Sequence, residues 1–167
     1  SLKTNKLDDK PNAYQIGENV TLDLYKGSTK AVIGSKDQVL YILSQRGIRS
    51  YHLSKDGSLS FKFPEEFSPN VYAQAILFNG ETYQASETTI LSFNSETKKL
   101  SLNLSLNKPQ YAPADKAKIS VLVKDSVGNP VVSEVNLNLV DEAFYSLYPE
   151  NINPLSELYR FLESDVL

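Results

Sequence analysis

Tyr14-Gln15-Ile16-Gly17-Glu18, followed by Val20, Leu22 and Leu24, returns as Tyr111-Ala112-Pro113-Ala114-Asp115, followed by Ala117, Ile119 and Val121, at a constant offset of 97 residues. A repeat at that spacing means one module present twice, and the apolar residues at every second position after each tyrosine mean that the module opens with a half-buried strand. Working outward, the polar run Asn94-Ser95-Glu96-Thr97-Lys98-Lys99 precedes the second copy and reads as a short linker. The predicted division is residues 1–97 for the first module and 98–167 for the second, with the second open to truncation.

The same period of two runs through Leu59, Phe61 and Phe63 and through Leu100, Leu102, Leu104 and Leu106. Strands are also predicted at Val39–Leu43, Val71–Phe78, Thr88–Phe93, Ile119–Val123 and Val135–Val140, all rich in β-branched, aromatic or leucine residues. Turn signals separate them at the 8- to 12-residue spacing of a sandwich: Lys26-Gly27, Asp56-Gly57, Asn79-Gly80 and Gly128-Asn129-Pro130. The predicted fold is all-β: two tandem, immunoglobulin-like antiparallel sandwiches with one short C-terminal helix. That helix starts at Asn153-Pro154, and Leu155, Leu158, Tyr159 and Leu162 carry its apolar stripe.

The 17 basic and 20 acidic side chains are intermixed and sum to −3, without the basic stripe that holds a phosphate backbone, so nucleic acid is not an expected partner. Cysteine is absent, which removes disulfides, thiolate metal sites and cysteine nucleophiles together. Methionine is absent too, so the sequence reads as a piece of a longer protein. No apolar run approaches the roughly 20 residues that span a bilayer, and direct membrane insertion is not expected.

No residue set suggests catalysis. His52 is the one histidine, and it sits in the strand-like run Ser50–Ser54 with no serine elbow to serve it. Asp8-Asp9 lies in a polar terminus and Glu65-Glu66 in a proline-flanked loop, so both pairs read as solvated charge. Asp141-Glu142 ends the run Val135–Val140, where Asp141 is expected to cap the backbone near Ala143–Tyr145. No EF-hand spacing is present, and no cofactor is expected. Tyr14 and Tyr111, at equivalent places, are both expected to be buried with their hydroxyls hydrogen-bonded.

The second module carries Tyr111-x-Pro113-x-Asp115, then Asp125-x-x-Gly128-x-Pro130-Val131, then Val140-Asp141-Glu142-Ala143; Asn153-Pro154-Leu155 and Tyr159 follow, and Gly47-Ile48 and Ser68–Tyr72 lie upstream. In this order the motifs resemble those of the alpha-2-macroglobulin family in its bacterial form. The resemblance implies two adjacent macroglobulin-type domains from the bait-region portion of a proteinase trap, with no enzymatic activity. It also implies proteinases and neighbouring macroglobulin domains as partners, and an extracytoplasmic location reached through a signal or lipid anchor elsewhere in the parent. Ala114 stands where the family has glycine, whereas the first module keeps Gly17. The tail offers Arg160 and Phe161 as basic and aromatic cleavage points, expected to be less protected than the strands. Tandem sandwiches also build adhesin stalks, and that alternative is separated from the first by the parent gene.

Overall fold

In the computed structural model, which describes residues 1–6, 12–112, 114–137 and 154–167, the alternation after Tyr14 becomes strand β3 (Asn19–Lys26). It runs antiparallel between β1 (Leu2–Thr4) and β7 (Ser58–Lys62), and β4 (Thr29–Lys30) folds back on its end through the Gly27 turn. Because side chains alternate faces, Leu2, Val20, Leu22 and Leu24 all lie on one side, and all are buried. What buries them is a six-stranded sheet. Its order is β2 (Ala13–Tyr14), β10 (Thr89–Phe93), β8 (Asn70–Phe78), β5 (Gln38–Ser44) and β6 (Ile48–Ser54), with β9 (Tyr83–Ala85) extending the β10 side of β8. The short β2–β10 contact is parallel, and the other pairings of this sheet are antiparallel among the described residues.

This sheet contributes Tyr14, Val39, Tyr41, Leu43, Val71, Ala73, Ala75, Leu91 and Phe93 to one core shared with Phe63 and Phe67. Tyr14 and Phe63 stack with ring centroids 5.9 Å apart, and Phe67 meets Phe63 edge-on at 6.1 Å. Such offset and edge-to-face contacts suit the ring quadrupoles and add to the burial of area. The first unit is therefore a complete sandwich. Its exposed edge strand, β6, carries Tyr51 and Leu53 on the outside and His52 opposite Tyr41 of β5.

The second unit runs from Ser95 to Leu158. Its linker forms a single 3₁₀ turn at Ser95–Lys98, and β11 (Ser101–Leu106) then pairs antiparallel with β12 (Ile119–Lys124). Leu106 faces Ile119 and Leu104 faces Val121, as Thr4 faces Leu22 and Leu2 faces Leu24 in the first unit. The β11–β12 ribbon is thus the β1–β3 ribbon repeated. The difference lies in what covers it: Leu22 is 0% exposed, whereas Leu104 is 57% and Val121 38% exposed. Among the described residues no second sheet lies over this face. Of the predicted strand Val135–Val140, residues 135–137 are outside regular structure and 138–140 are outside the described residues.

The C-terminal helix, α1, is shorter than its stripe predicts, ending at Leu158 (Pro154–Leu158). Helices this short are marginal on their own, and packing decides their ends. Tyr159 leaves the helix to set its ring 5.2 Å from Phe93, and Tyr159–Leu167 belong with Ser1–Asn94 in the first unit. By its contacts this tail groups with the first unit, although it falls within the span 98–167 predicted for the second module. Composition marks the linker but carries no trace of a tail bound to residues some 90 positions earlier in the chain.

Candidate functional site

Each copy of the repeat builds the same clasp at the start of its ribbon. In the first, the Tyr14 hydroxyl donates to Asn5 Oδ1 at 3.0 Å, and that oxygen also accepts the Thr21 N–H at 3.0 Å. Glu18 Oε2 accepts the Gln15 N–H at 2.9 Å while the Glu18 N–H donates to the Gln15 carbonyl at 3.0 Å, closing the turn reciprocally. Lys6 completes it, pairing with Glu18 and lying 4.8 Å from the centre of the Tyr14 ring. Burial opposes ionisation of Glu18, but the bonds from Lys6 and Gln15 outweigh it and hold the carboxyl below its usual range. Burial raises the Tyr14 phenol.

In the second copy the Tyr111 hydroxyl donates to Asn107 Oδ1 at 2.7 Å, which also accepts the Lys118 N–H at 2.7 Å. Asp115 Oδ2 accepts the Ala112 N–H at 3.1 Å, and Lys108 reaches Asp115 at 3.3 Å and the Tyr111 ring at 5.9 Å. The asparagine and lysine were invisible at the offset of 97, because Asn5-Lys6 and Asn107-Lys108 are 102 apart: the first copy holds five more residues between its Asn-Lys pair and its tyrosine. The repeated dipeptide was the available signal. Gly17 has φ of 82° and Ala114 φ of 72°, so the second turn keeps the left-handed backbone although its residue carries a Cβ. Tyr14 is wholly buried as expected, but Tyr111 is only half-buried, for want of a sheet above it among the described residues. Pro113, Asp141 and Glu142 lie outside the described residues, and with them the predicted cap at Ala143–Tyr145.

Asp125 organises the hairpin that ends β12. Its Oδ1 accepts the N–H groups of Val127 at 3.0 Å and Asn129 at 2.8 Å, and its backbone exchanges bonds with Gly128 and Asn129. Those bonds, led by the one from Asn129, lower its carboxyl. Gly128 takes φ of 95°, and Pro130 bridges back to Lys124. Short polar side chains that bond their own backbone are what make such turns.

The tail forms a different arrangement. Asn70, wholly buried at the start of β8, offers its amide to one residue twice: Oδ1 accepts the Leu162 N–H at 2.8 Å and Nδ2 donates to the Leu162 carbonyl at 3.0 Å. At the β5–β6 turn the Arg46 N–H donates to the Glu163 carbonyl at 2.8 Å and the Gly47 N–H to the Ser164 carbonyl at 2.9 Å. Gln45 prepares this surface, its Nε2 donating to the Asn70 carbonyl at 2.7 Å and to that of Ser68 at 3.2 Å. Ser164 is buried, and its Oγ accepts the N–H groups of Val166 and Leu167. Arg160 and Phe161 expose their side chains, and their backbone runs between Tyr159, packed on Phe93, and Leu162, bonded to Asn70.

His52 is exposed on β6, and among the described residues no group of acidic or histidine side chains could hold a metal ion. No helix is long and apolar enough to cross a membrane among the described residues. The chain finds no match among curated proteins. Its residues 6–147 match the family model described as the alpha-2-macroglobulin bait region domain. That span takes in the second clasp, all of the first but Asn5, and the Asp125 hairpin, and covers well over half of the 167 residues. The chain belongs to the alpha-2-macroglobulin bait region domain family.

Proposed function

We propose that this chain is scaffold from an alpha-2-macroglobulin-like proteinase inhibitor, acting outside the cytoplasm, in which cleavage of a bait segment by an attacking proteinase drives closure of the parent around it. The observation that carries this reading is the family match across residues 6–147, which takes in most of both units. The role is that of a substrate and frame. Rigid sandwich faces suit a device in which a cut in one segment is answered by rearrangement of whole domains. Proteinases and neighbouring macroglobulin domains are the partners this implies.

Limited proteolysis of the full-length parent tests it. The expected result is one early cut outside the paired strands, followed by compaction seen as a smaller hydrodynamic radius and by retention of the proteinase. A cut parent that neither compacts nor retains the proteinase would overturn the reading in favour of a passive surface stalk.

A further inference from the structure

We infer that the first unit contains a binding site for main-chain groups, formed by Asn70, the Arg46-Gly47 turn and Phe93, and that its occupant is this chain's own Tyr159–Ser164. Docking there holds the Arg160–Phe161 bond in a form closed to proteinases. Nothing in this depends on the inhibitory role, and it stands or falls separately.

The site reads main chain. Leu162 gives its N–H and its carbonyl to the Asn70 side chain, and the carbonyls of Glu163 and Ser164 go to two successive backbone N–H groups. Asn70 therefore does what a neighbouring strand residue does in a ladder, as in strand-addition recognition. It is preorganised for this, because it is wholly buried and Gln45 fixes the backbone around it. Side-chain selection falls to the Tyr159 ring, which packs at 5.2 Å on Phe93.

A proteinase binds its substrate as extended backbone, using main-chain N–H and carbonyl groups on both sides of the bond it cuts, and so competes for the groups that Asn70 holds. For the Arg160–Phe161 bond those groups include Leu162, already paired to Asn70, and the exposed Arg160 side chain alone is not enough for attack. Cleavage after Arg160 therefore requires the tail to leave its site first, and the cutting rate measures the population of undocked tail.

The test follows trypsin cleavage of the intact chain at low ratio, resolving fragments by mass, beside a synthetic peptide of residues 155–167. In the wild-type chain the cut after Arg160 should lag the peptide by at least about tenfold, since opening breaks several bonds at once. Tyr159→Ala, which alters only the tail, and Asn70→Ala, which alters only the site, should each restore about tenfold or more of that rate. If Asn70→Ala loses its far-ultraviolet circular dichroism, Tyr159→Ala alone decides. Wild-type cleavage as fast as the peptide would overturn the inference, and so would a slow cut that Tyr159→Ala leaves unchanged.

Discussion

Truncating each repeat tyrosine should separate the two copies by several-fold in energy, although their hydrogen bonds are nearly the same. Tyr14→Ala removes a ring that is 0% exposed, stacks on Phe63 and lies under Lys6. A fully buried aromatic truncated to alanine costs about 3–5 kcal/mol. Loss of the hydroxyl leaves Asn5 Oδ1 with its Thr21 bond only, adding a fraction of about 1 kcal/mol. We expect about 4 kcal/mol for the first unit. Tyr111→Ala removes a half-buried ring that packs on no other aromatic ring among the described residues, so the hydroxyl's bonds to Asn107 and the Lys108 N–H are the main loss, at about 1 kcal/mol. The assay is urea unfolding, with amide exchange on β3 and β12 to report each unit, since the chain has no tryptophan. Comparable losses from the two substitutions would refute the reasoning, because they would mean that the clasp rather than the covering sheet sets the energy. Tyr14→Phe, which keeps the ring, should cost only about 1 kcal/mol.

Three further substitutions or titrations test the backbone and the charges. Ala114→Gly should stabilise the second unit by about 0.5–1 kcal/mol in urea titration, because a Cβ at φ of 72° is strained and glycine is not. Gly57→Ala should cost about 2 kcal/mol in the same titration, since φ is +73° and a Cβ there would stand 2.9 Å from Ile33 Cγ1. Glu18 and Asp23 are both held below their usual carboxyl range; for Asp23 burial acts the other way, but the bonds from Lys30 and Ser58 prevail. A carboxyl depressed in the folded state stabilises above its unfolded pKa, about 4, and loses that contribution as pH falls through the folded value. The thermal unfolding midpoint of the first unit should therefore fall, as pH drops below about 4, by less in the double variant Glu18→Gln, Asp23→Asn than in the wild type.

Much of the first unit was legible because its strands are half-buried and alternate: Val20, Leu22 and Leu24 could not all be inside any other way, and Gly57 and Gly80 mark the turns. The ribbon β11–β12 was legible for the same reason, yet alternation shows only which face is apolar, not whether anything covers it. Hence Tyr14 and Tyr111 looked alike in sequence and differ in burial. The Asn5 and Asn107 partners escaped because loops of unequal length shift them out of register with the tyrosines. Asn70 escaped because a single asparagine in a strand carries no periodic signal, and the residue it reads, Leu162, was placed in a helical stripe that in fact ends at Leu158.

The clasp also sets an order in time. The Asn107 to Tyr111 bond closes over four residues and the Asn5 to Tyr14 bond over nine, both short enough to form on the tens-of-nanoseconds scale of loop closure. The Phe93 to Tyr14 pairing of β10 with β2 joins residues almost the whole first unit apart. Contacts that distant are the slow ones. Each ribbon can therefore be registered by its asparagine before the sheet that covers the first one has closed, so a late error in that sheet meets a template already in place.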